Sequence, residues 1–290
     1  MKRNKIQALI NLLDDPDLQV FEMVEKELLK ENFNIIPALE EKWENSFDIN
    51  CQERIENLIE ILQFKQTRGM LKQWLESKEN DLLEGFLLVD RLQYPDLNLL
   101  KINQKLENIQ KNIWIELNNS LTILEKITIL NHFIFNINGF SINHKNIHSP
   151  QNCFLNQLLD TKKGNPVSMS IFYALIARRL DLPVRFIDFP RNPLIAIVDP
   201  KLAKKVHGTI RKSDVLFYIN PSNKGSITSI RELEYHLKKH KYQHLKSYTE
   251  PKSDLFFIQR LLESLKESYN MAGYDEKKIR IGSLLRLFEK

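Results

Sequence analysis

The residues with reactive side chains are few and unevenly spread in this 290-residue sequence, which holds seven histidines, two cysteines and one Gly-Asn-Pro turn followed by serine. The densest combination is GNPVSMSIFYALIARRLDLPV, residues 164–184. Gly164 and Asn165 allow a tight turn, Asn165 can cap a helix, and Pro166 fits the first helical turn. Ser168 then sits where free N–H groups and the positive end of the helix dipole gather, so a nucleophile there would be activated. The plain structural alternative makes Ser168 a helix-opening residue that satisfies a backbone donor.

Other clusters carry weaker chemistry. His236, His240 and His244 recur every four residues, a spacing that puts them along one helix face and that can suit zinc. Lys238, Lys239 and Lys241 surround them and repel a cation, so a solvated basic face is expected there, with no metal and no cofactor. His144 and His148 share the spacing in a loop, where it has no geometric force. Lys201, Lys204, Lys205, Arg211 and Lys212 form a basic run with no acid between Asp199 and Asp214. It reads as a solvated hairpin tip or an anion contact, without the interleaved aromatics of a single-strand platform. Cys51 and Cys153 lie far apart with no CxxC, which excludes a disulfide framework and a thiolate zinc site.

The elements that must position these residues fall into three stretches. Residues 1–65 repeat short amphipathic helices (Ile6, Leu9, Ile10, Leu13; Val20, Met23, Val24, Leu28; Ile55, Leu58, Ile59, Leu62), with Asp15 placed to cap the second beside Pro16. The helix pairing around DDPD resembles a HEAT-type unit. Residues 66–250 stay helical to about residue 135, with breaks expected at Gly69, Pro95 and Asn118–Ser120. GFSINHKNIHSPQNC, from Gly139, then reads as a long surface loop, and VRFIDF, PLIAIVD and VLFYIN read as antiparallel strands. Residues 251–290 return to two helices with Gly273 as a stop, a pair with the look of a tetratricopeptide-like hairpin. Within that hairpin Leu255, Phe256 and Phe257 are expected to pack into a core.

Charge follows a different boundary. Residues 1–110 carry 14 basic and 21 acidic side chains, and the remaining residues carry 28 and 16, so a net −7 arm precedes a net +12 body. No apolar run approaches the roughly 20 residues of a membrane span, and acids interrupt the N-terminus before a signal core could form. A cytoplasmic protein is expected.

The stretch SPQNCFLNQLLDTKKGNPVSMSIFYALIARRLDLPVRFIDFP, with FYINPSNKG after it, resembles the SirB-type transglutaminase-like proteins of bacteria, a branch of the papain-like transglutaminase superfamily. The resemblance covers residues 130–230 and implies an α+β fold: a helical N-terminal region, a transglutaminase-like core with a small antiparallel sheet, and a C-terminal helical hairpin. In the wider superfamily a helix N-terminus supplies Cys and the next strands supply His and Asp. Those positions fall here on Ser168, Asn192 and Asn220. Neither asparagine can take a proton, and no histidine lies between His148 and His207. Asn165, Asn152, His148 and His207 complete the candidate site as binding positions.

The reading adopted from the sequence is a catalytically degenerate transglutaminase-like protein that binds a protein or peptide through the former active-site cleft or the helical arms, in a regulatory role. The competing class is a hydrolase or acyl transferase with Ser168 as nucleophile and His207 or His148 as an unconventional base. A third is a nucleic-acid-associated factor that uses the basic half.

Overall fold

In the computed structural model, which describes residues 2–207, 214–243 and 245–289, the chain divides into two compact units, Met1–Gln73 and Trp74–Lys290. The first contains α1 (Lys2–Asn11), α2 (Leu18–Leu28), α3 (Ile36–Glu44) and α4 (Ile49–Glu76, whose residues from Trp74 belong to the second unit). Apolar residues recurring every three or four positions drive these helices together. Ile10, Leu13, Leu28, Leu39, Ile55 and Leu58 are fully buried in the resulting core, each contributing about 1.5–3 kcal/mol of transfer free energy.

Three local expectations are corrected. Asp17 caps α2 through the N–H of Gln19 at 2.8 Å, while Asp15 accepts the N–H of Asp17, also at 2.8 Å. Pro16 therefore falls in the turn before the helix. Met23 is 61% exposed, because the buried stripe of α2 narrows to Val24 and Leu28. Gly69 does not break a helix but lies inside α4. One interior glycine costs a helix only about 1 kcal/mol, and the buried Leu62 and Leu71 on either side hold it in register.

The second unit opens with α5 (Leu82–Arg91), α6 (Leu99–Trp114) and α7 (Ile123–Asn131), separated around Pro95 and Asn118–Ser120, and α7 runs into a π-helical turn at His132–Ile137. The segment read as a long loop is partly ordered by pairing. β1 (Ser141–Ile142) lies beside the strand that follows α8 (Leu155–Thr161), namely β2 (Lys163–Gly164), in parallel. A 3-10 turn at Pro150–Cys153 leads into α8. Helix α9 (Pro166–Arg179) then runs through the middle of the unit, with every residue from Val167 to Ala177 buried. A helix covered on all sides needs no polar face, and the few polar side chains of that stretch, Ser168, Ser170 and Tyr173, are each hydrogen-bonded.

The sheet is antiparallel. It contains β3 (Val184–Ile187) and β4 (Leu194–Val198), then, beyond α10 (Pro200–His207), β5 (Val215–Asn220) and β6 (Ser226–Thr228). After α11 (Ile230–Lys239), β7 (Pro251–Lys252) joins the opposite edge, giving the order β6-β5-β4-β3-β7. The pairs Phe186↔Ile195 and Ala196↔Tyr218 set the register. The chain closes with α12 (Asp254–Met271) and α13 (Asp275–Leu285), with Gly273 at φ +77° in the turn between them. Helix α12 packs on α9 and α5. Phe257 of α12 stacks on Phe186 of β3 with ring centroids 4.1 Å apart, and Leu255 and Phe256 are half-buried beside it. Arg178 grips Asp254 with its two terminal guanidinium nitrogens, at 2.5 and 2.8 Å.

The basic run expected at a hairpin tip begins as a helix instead. Asp199 accepts the N–H of Leu202 at 2.9 Å and Pro200 opens α10, a capping pair that starts a helical turn directly after β4. Lys201, Lys204 and Lys205 are exposed on it, while Arg211 and Lys212 lie outside the described residues. The histidine stripe is shorter than its spacing suggested. α11 stops at Lys239, His240 forms its C-terminal cap, and His244 lies outside the described residues.

Candidate functional site

Asn165 and Ser168 form a reciprocal capping box at the start of α9. The Asn165 side-chain oxygen accepts the N–H groups of Val167 at 2.9 Å and Ser168 at 2.8 Å. In return, Ser168 Oγ accepts the Asn165 N–H at 3.0 Å. The Ser168 hydroxyl donates to the carbonyl oxygen of Asn152 at 2.6 Å, and the Asn165 carbonyl lies farther off at 3.2 Å. The side chain is completely buried. Gly164 makes this closeness possible, because a Cβ there would stand 2.7 Å from Ser168 Oγ and 2.4 Å from Leu158 Cδ1.

Asn152 passes that anchorage to the preceding loop. Its Nδ2 donates to the carbonyl oxygens of Asn146 at 2.7 Å and Ile147 at 3.2 Å, and its Oδ1 accepts from Asn143 Nδ2 at 3.0 Å. On the other side, Asn165 Nδ2 donates to Cys153 Sγ at 3.1 Å and Ser264 Oγ at 3.0 Å, joining the turn to α12. Burial pushes the Cys153 thiol up to about 12, against the smaller opposing effect of hydrogen bonds from Ser264, Ser268 and Asn165. Cys153 is therefore a packed thiol rather than a thiolate.

Asn192 and Asn220, the other two positions expected for a triad, are each bonded within their own turns. Asn192 is half-buried in the β3–β4 turn, and its N–H donates to the Pro190 carbonyl at 2.8 Å. Asn220 ends β5, where its side-chain oxygen accepts the Ser222 N–H at 3.0 Å. No hydrogen bond joins Ser168, Asn192 and Asn220 to one another among the described residues. The contact between α9 and the β3–β4 turn runs through Ser170 instead, whose Oγ donates to the Pro193 carbonyl at 3.1 Å.

His148 is exposed in the loop and lines a cleft with residues of α12 and α13. His207 ends α10, and its side chain lies outside the described residues. No described histidine side chain hydrogen-bonds Ser168. His236 and His240 lie with rings 4.2 Å apart, and burial together with the nearby His240 and Lys239 charges holds His236 below the usual imidazole range. Among the described residues no three His, Cys, Asp or Glu side chains gather as metal ligands.

Asp90 was missed by the sequence reading. It is fully buried on α5, and its two oxygens accept the N–H groups of Leu155 at 2.7 Å and Asn156 at 2.8 Å, capping α8 from outside. Burial outweighs these two donors and raises its carboxyl to about 7. The signal was present: Asp90 follows Phe86 by four positions and so shares its apolar face.

The model of the transglutaminase-like superfamily matches residues 100–263. A UPF0162 protein of Xylella fastidiosa (strain 9a5c) is similar, at 26% identity over 160 residues, 55% of this chain and 52% of that protein. A second, from strain Temecula1, is 28% identical over 116 residues, 40% of this chain and 41% of its own length. The F-box only protein 21 of Mus musculus is 25% identical over 111 residues, 38% of this chain and 17% of that protein. The chain thus spans about half the length, or less, of the curated relatives it matches. No solved structure matches it, and no described helix is long and apolar enough to cross a membrane.

Proposed function

Because the chain belongs to the transglutaminase-like superfamily, we propose that it is a SirB-type, catalytically degenerate member that works in the cytoplasm as a protein- or peptide-binding, regulatory module. In this reading residues 1–65 are a HEAT-like arm, residues 66–250 the transglutaminase-like core, and residues 251–290 a tetratricopeptide-like hairpin. The observation that carries it is the state of Ser168. Its hydroxyl donates to the Asn152 carbonyl, one of its lone pairs accepts the Asn165 N–H, and its surface is closed to solvent. An alkyl hydroxyl needs a base within hydrogen-bond reach and room for an acyl group beside it. A backbone carbonyl is no base, and Asn192 and Asn220 cannot accept a proton in place of His and Asp.

Intact-mass spectrometry after exposure to a broad serine-reactive acylating probe, with peptide mapping of the wild-type chain, checks the reading. No adduct at Ser168 is expected. A stoichiometric adduct there, absent from Ser168→Ala, would overturn it and favour the hydrolase or acyl-transferase class.

A further inference from the structure

Away from Ser168 the second unit holds a cleft of about 690 Å³ between the loop at Asn146–Gln151 and the junction of α12 with α13. Small-ligand sites span roughly 300–1,000 Å³, with apolar walls and a few convergent polar groups. This cleft has that size, and its lining mixes polar residues (Gln93, Asn146, His148, Gln151) with aromatic ones in about equal share. Tyr94 meets Phe154 edge-on with centroids 5.3 Å apart, and Tyr269 meets Tyr274 in the same manner at 6.1 Å.

One ammonium group stands in this aromatic setting. Lys277 Nζ donates to Gln93 Oε1 at 3.0 Å, the same oxygen that accepts from the Tyr269 hydroxyl at 3.1 Å. It lies 5.9 Å from the ring centroids of both Tyr269 and Tyr274. Gln93 and the two rings thus hold the cation in place without neutralising it. Among the described residues Lys277 has no ion pair, and no Asp or Glu lines the cleft. The two acids of the first turn of α13, Asp275 and Glu276, are exposed and outside the lining, and Asp275 pairs with Lys278 at 3.3 Å. A cation without a counterion, in a concave site that also exposes Met271 and Tyr274, is matched by an anion carried on an apolar body. A single ammonium balances a single negative charge, which favours a carboxylate over a dianionic phosphate.

We infer that this cleft binds a carboxylate borne on an aromatic or aliphatic body, with Lys277 as counterion, Gln93 as its positioning residue and Tyr94, Met271 and Tyr274 as the accessible apolar surface, backed by the buried Phe154 and Tyr269. In a binding module that group is the C-terminal end of a peptide with a bulky last residue. This step rests on the binding reading above and gives its partner a chemical class. The loop wall of the cleft hangs on Asn152, which holds the Asn146 and Ile147 carbonyls and itself receives the Ser168 hydroxyl. The former nucleophile position thereby becomes a support for the binding surface.

Calorimetric titration of the full chain with four probes tests the inference: N-acetyl-phenylalanine, its amide, acetyl-Ala-Ala-Ala-Phe with a free carboxylate, and the same tetrapeptide amidated. The free acids should saturate, and the amides should bind at least about tenfold more weakly, the scale of one lost charge-assisted contact. Lys277→Met should weaken the acids by a similar factor, while Lys278→Met, outside the cleft lining, should keep wild-type affinity. Equal affinity for acid and amide, or no saturation by any probe at about 10 mM, overturns the site. Should Lys277→Met fail to melt cooperatively, the acid-against-amide comparison on the wild-type chain decides. A tetrapeptide acid that binds at least as tightly as N-acetyl-phenylalanine supports the peptide terminus. Binding of the small acid alone keeps the carboxylate site and overturns the peptide assignment. Labelling at Ser168 is a separate readout, so failure of the non-catalytic reading and failure of the cleft are told apart.

Discussion

The hydroxyl of Ser168 donates to the main-chain carbonyl of Asn152 at 2.6 Å, across sixteen residues of sequence. That bond closes the loop ahead of α8 onto the first turn of α9, and the Asn152 side chain then holds the loop from within at Asn146 and Ile147. A hydroxyl that the sequence suggested as a nucleophile is here bonded as a loop anchor.

Ser168→Ala should therefore be a stability variant. It removes one donor and one acceptor from a fully buried cluster and leaves the Asn152 carbonyl with the Asn165 N–H alone, at 3.2 Å. A loss of about 1–3 kcal/mol is expected in urea unfolding. Amide exchange should quicken between Asn143 and Asn152. An unchanged unfolding midpoint would mean that the hydroxyl does not anchor the loop.

Gly164→Ala should be worse than Ser168→Ala. The new methyl would stand 2.4 Å from Leu158 Cδ1 and 2.7 Å from Ser168 Oγ, below any real Cβ contact, and neither neighbour can retreat from a packed interior. Overpacking of this kind costs about 1–3 kcal/mol or more. Thermal denaturation of the two variants side by side ranks them. A Gly164→Ala chain as stable as wild type would show that the turn has slack.

The N-terminal capping of α9 was legible from Asn165, Pro166 and Ser168 because the three residue types need one another at that spacing whatever surrounds them. The three central strands were legible for a similar reason, since alternating β-branched and aromatic runs bounded by turns have few other solutions. Gly69 and α10 were not. A glycine's effect on a helix depends on the burial of its neighbours, and Asp199-Pro200 reads equally as a turn or as a capped helix start. Asp90 escaped because its partners, the N–H groups of Leu155 and Asn156, lie 65 and 66 residues further along the chain. Lys277 and Gln93 meet across 184 residues, which no local pattern records.

Cys153 should resist alkylation in the folded protein. Its thiol is fully buried and raised to about 12 by that burial, so at pH 8 the thiolate is on the order of one part in ten thousand, and the nucleophile is the thiolate. Iodoacetamide followed by peptide mapping should leave Cys153 unmodified in buffer and modify it in urea. Rapid modification in buffer would require an open α8–α9 turn.

Asp90 should give the fold an unusual pH dependence. In the folded chain its carboxyl keeps a proton up to about pH 7 because burial disfavours the charge more than the two N–H donors favour it. In the unfolded chain it releases that proton near its ordinary value of about 4. A raised carboxyl contributes stability that is fully present below about pH 4 and is lost as pH rises through about 7, the reverse of a salt-bridged aspartate. Asp90→Asn cannot titrate and keeps an acceptor for one of the two α8 N–H groups. The stability of wild type relative to Asp90→Asn should therefore fall by about 2–4 kcal/mol between pH 4 and pH 8. Urea unfolding of both chains across that range measures the difference, and other groups cancel from it. A difference that stays flat would place the Asp90 carboxyl in the ordinary range and require water or a cation beside it.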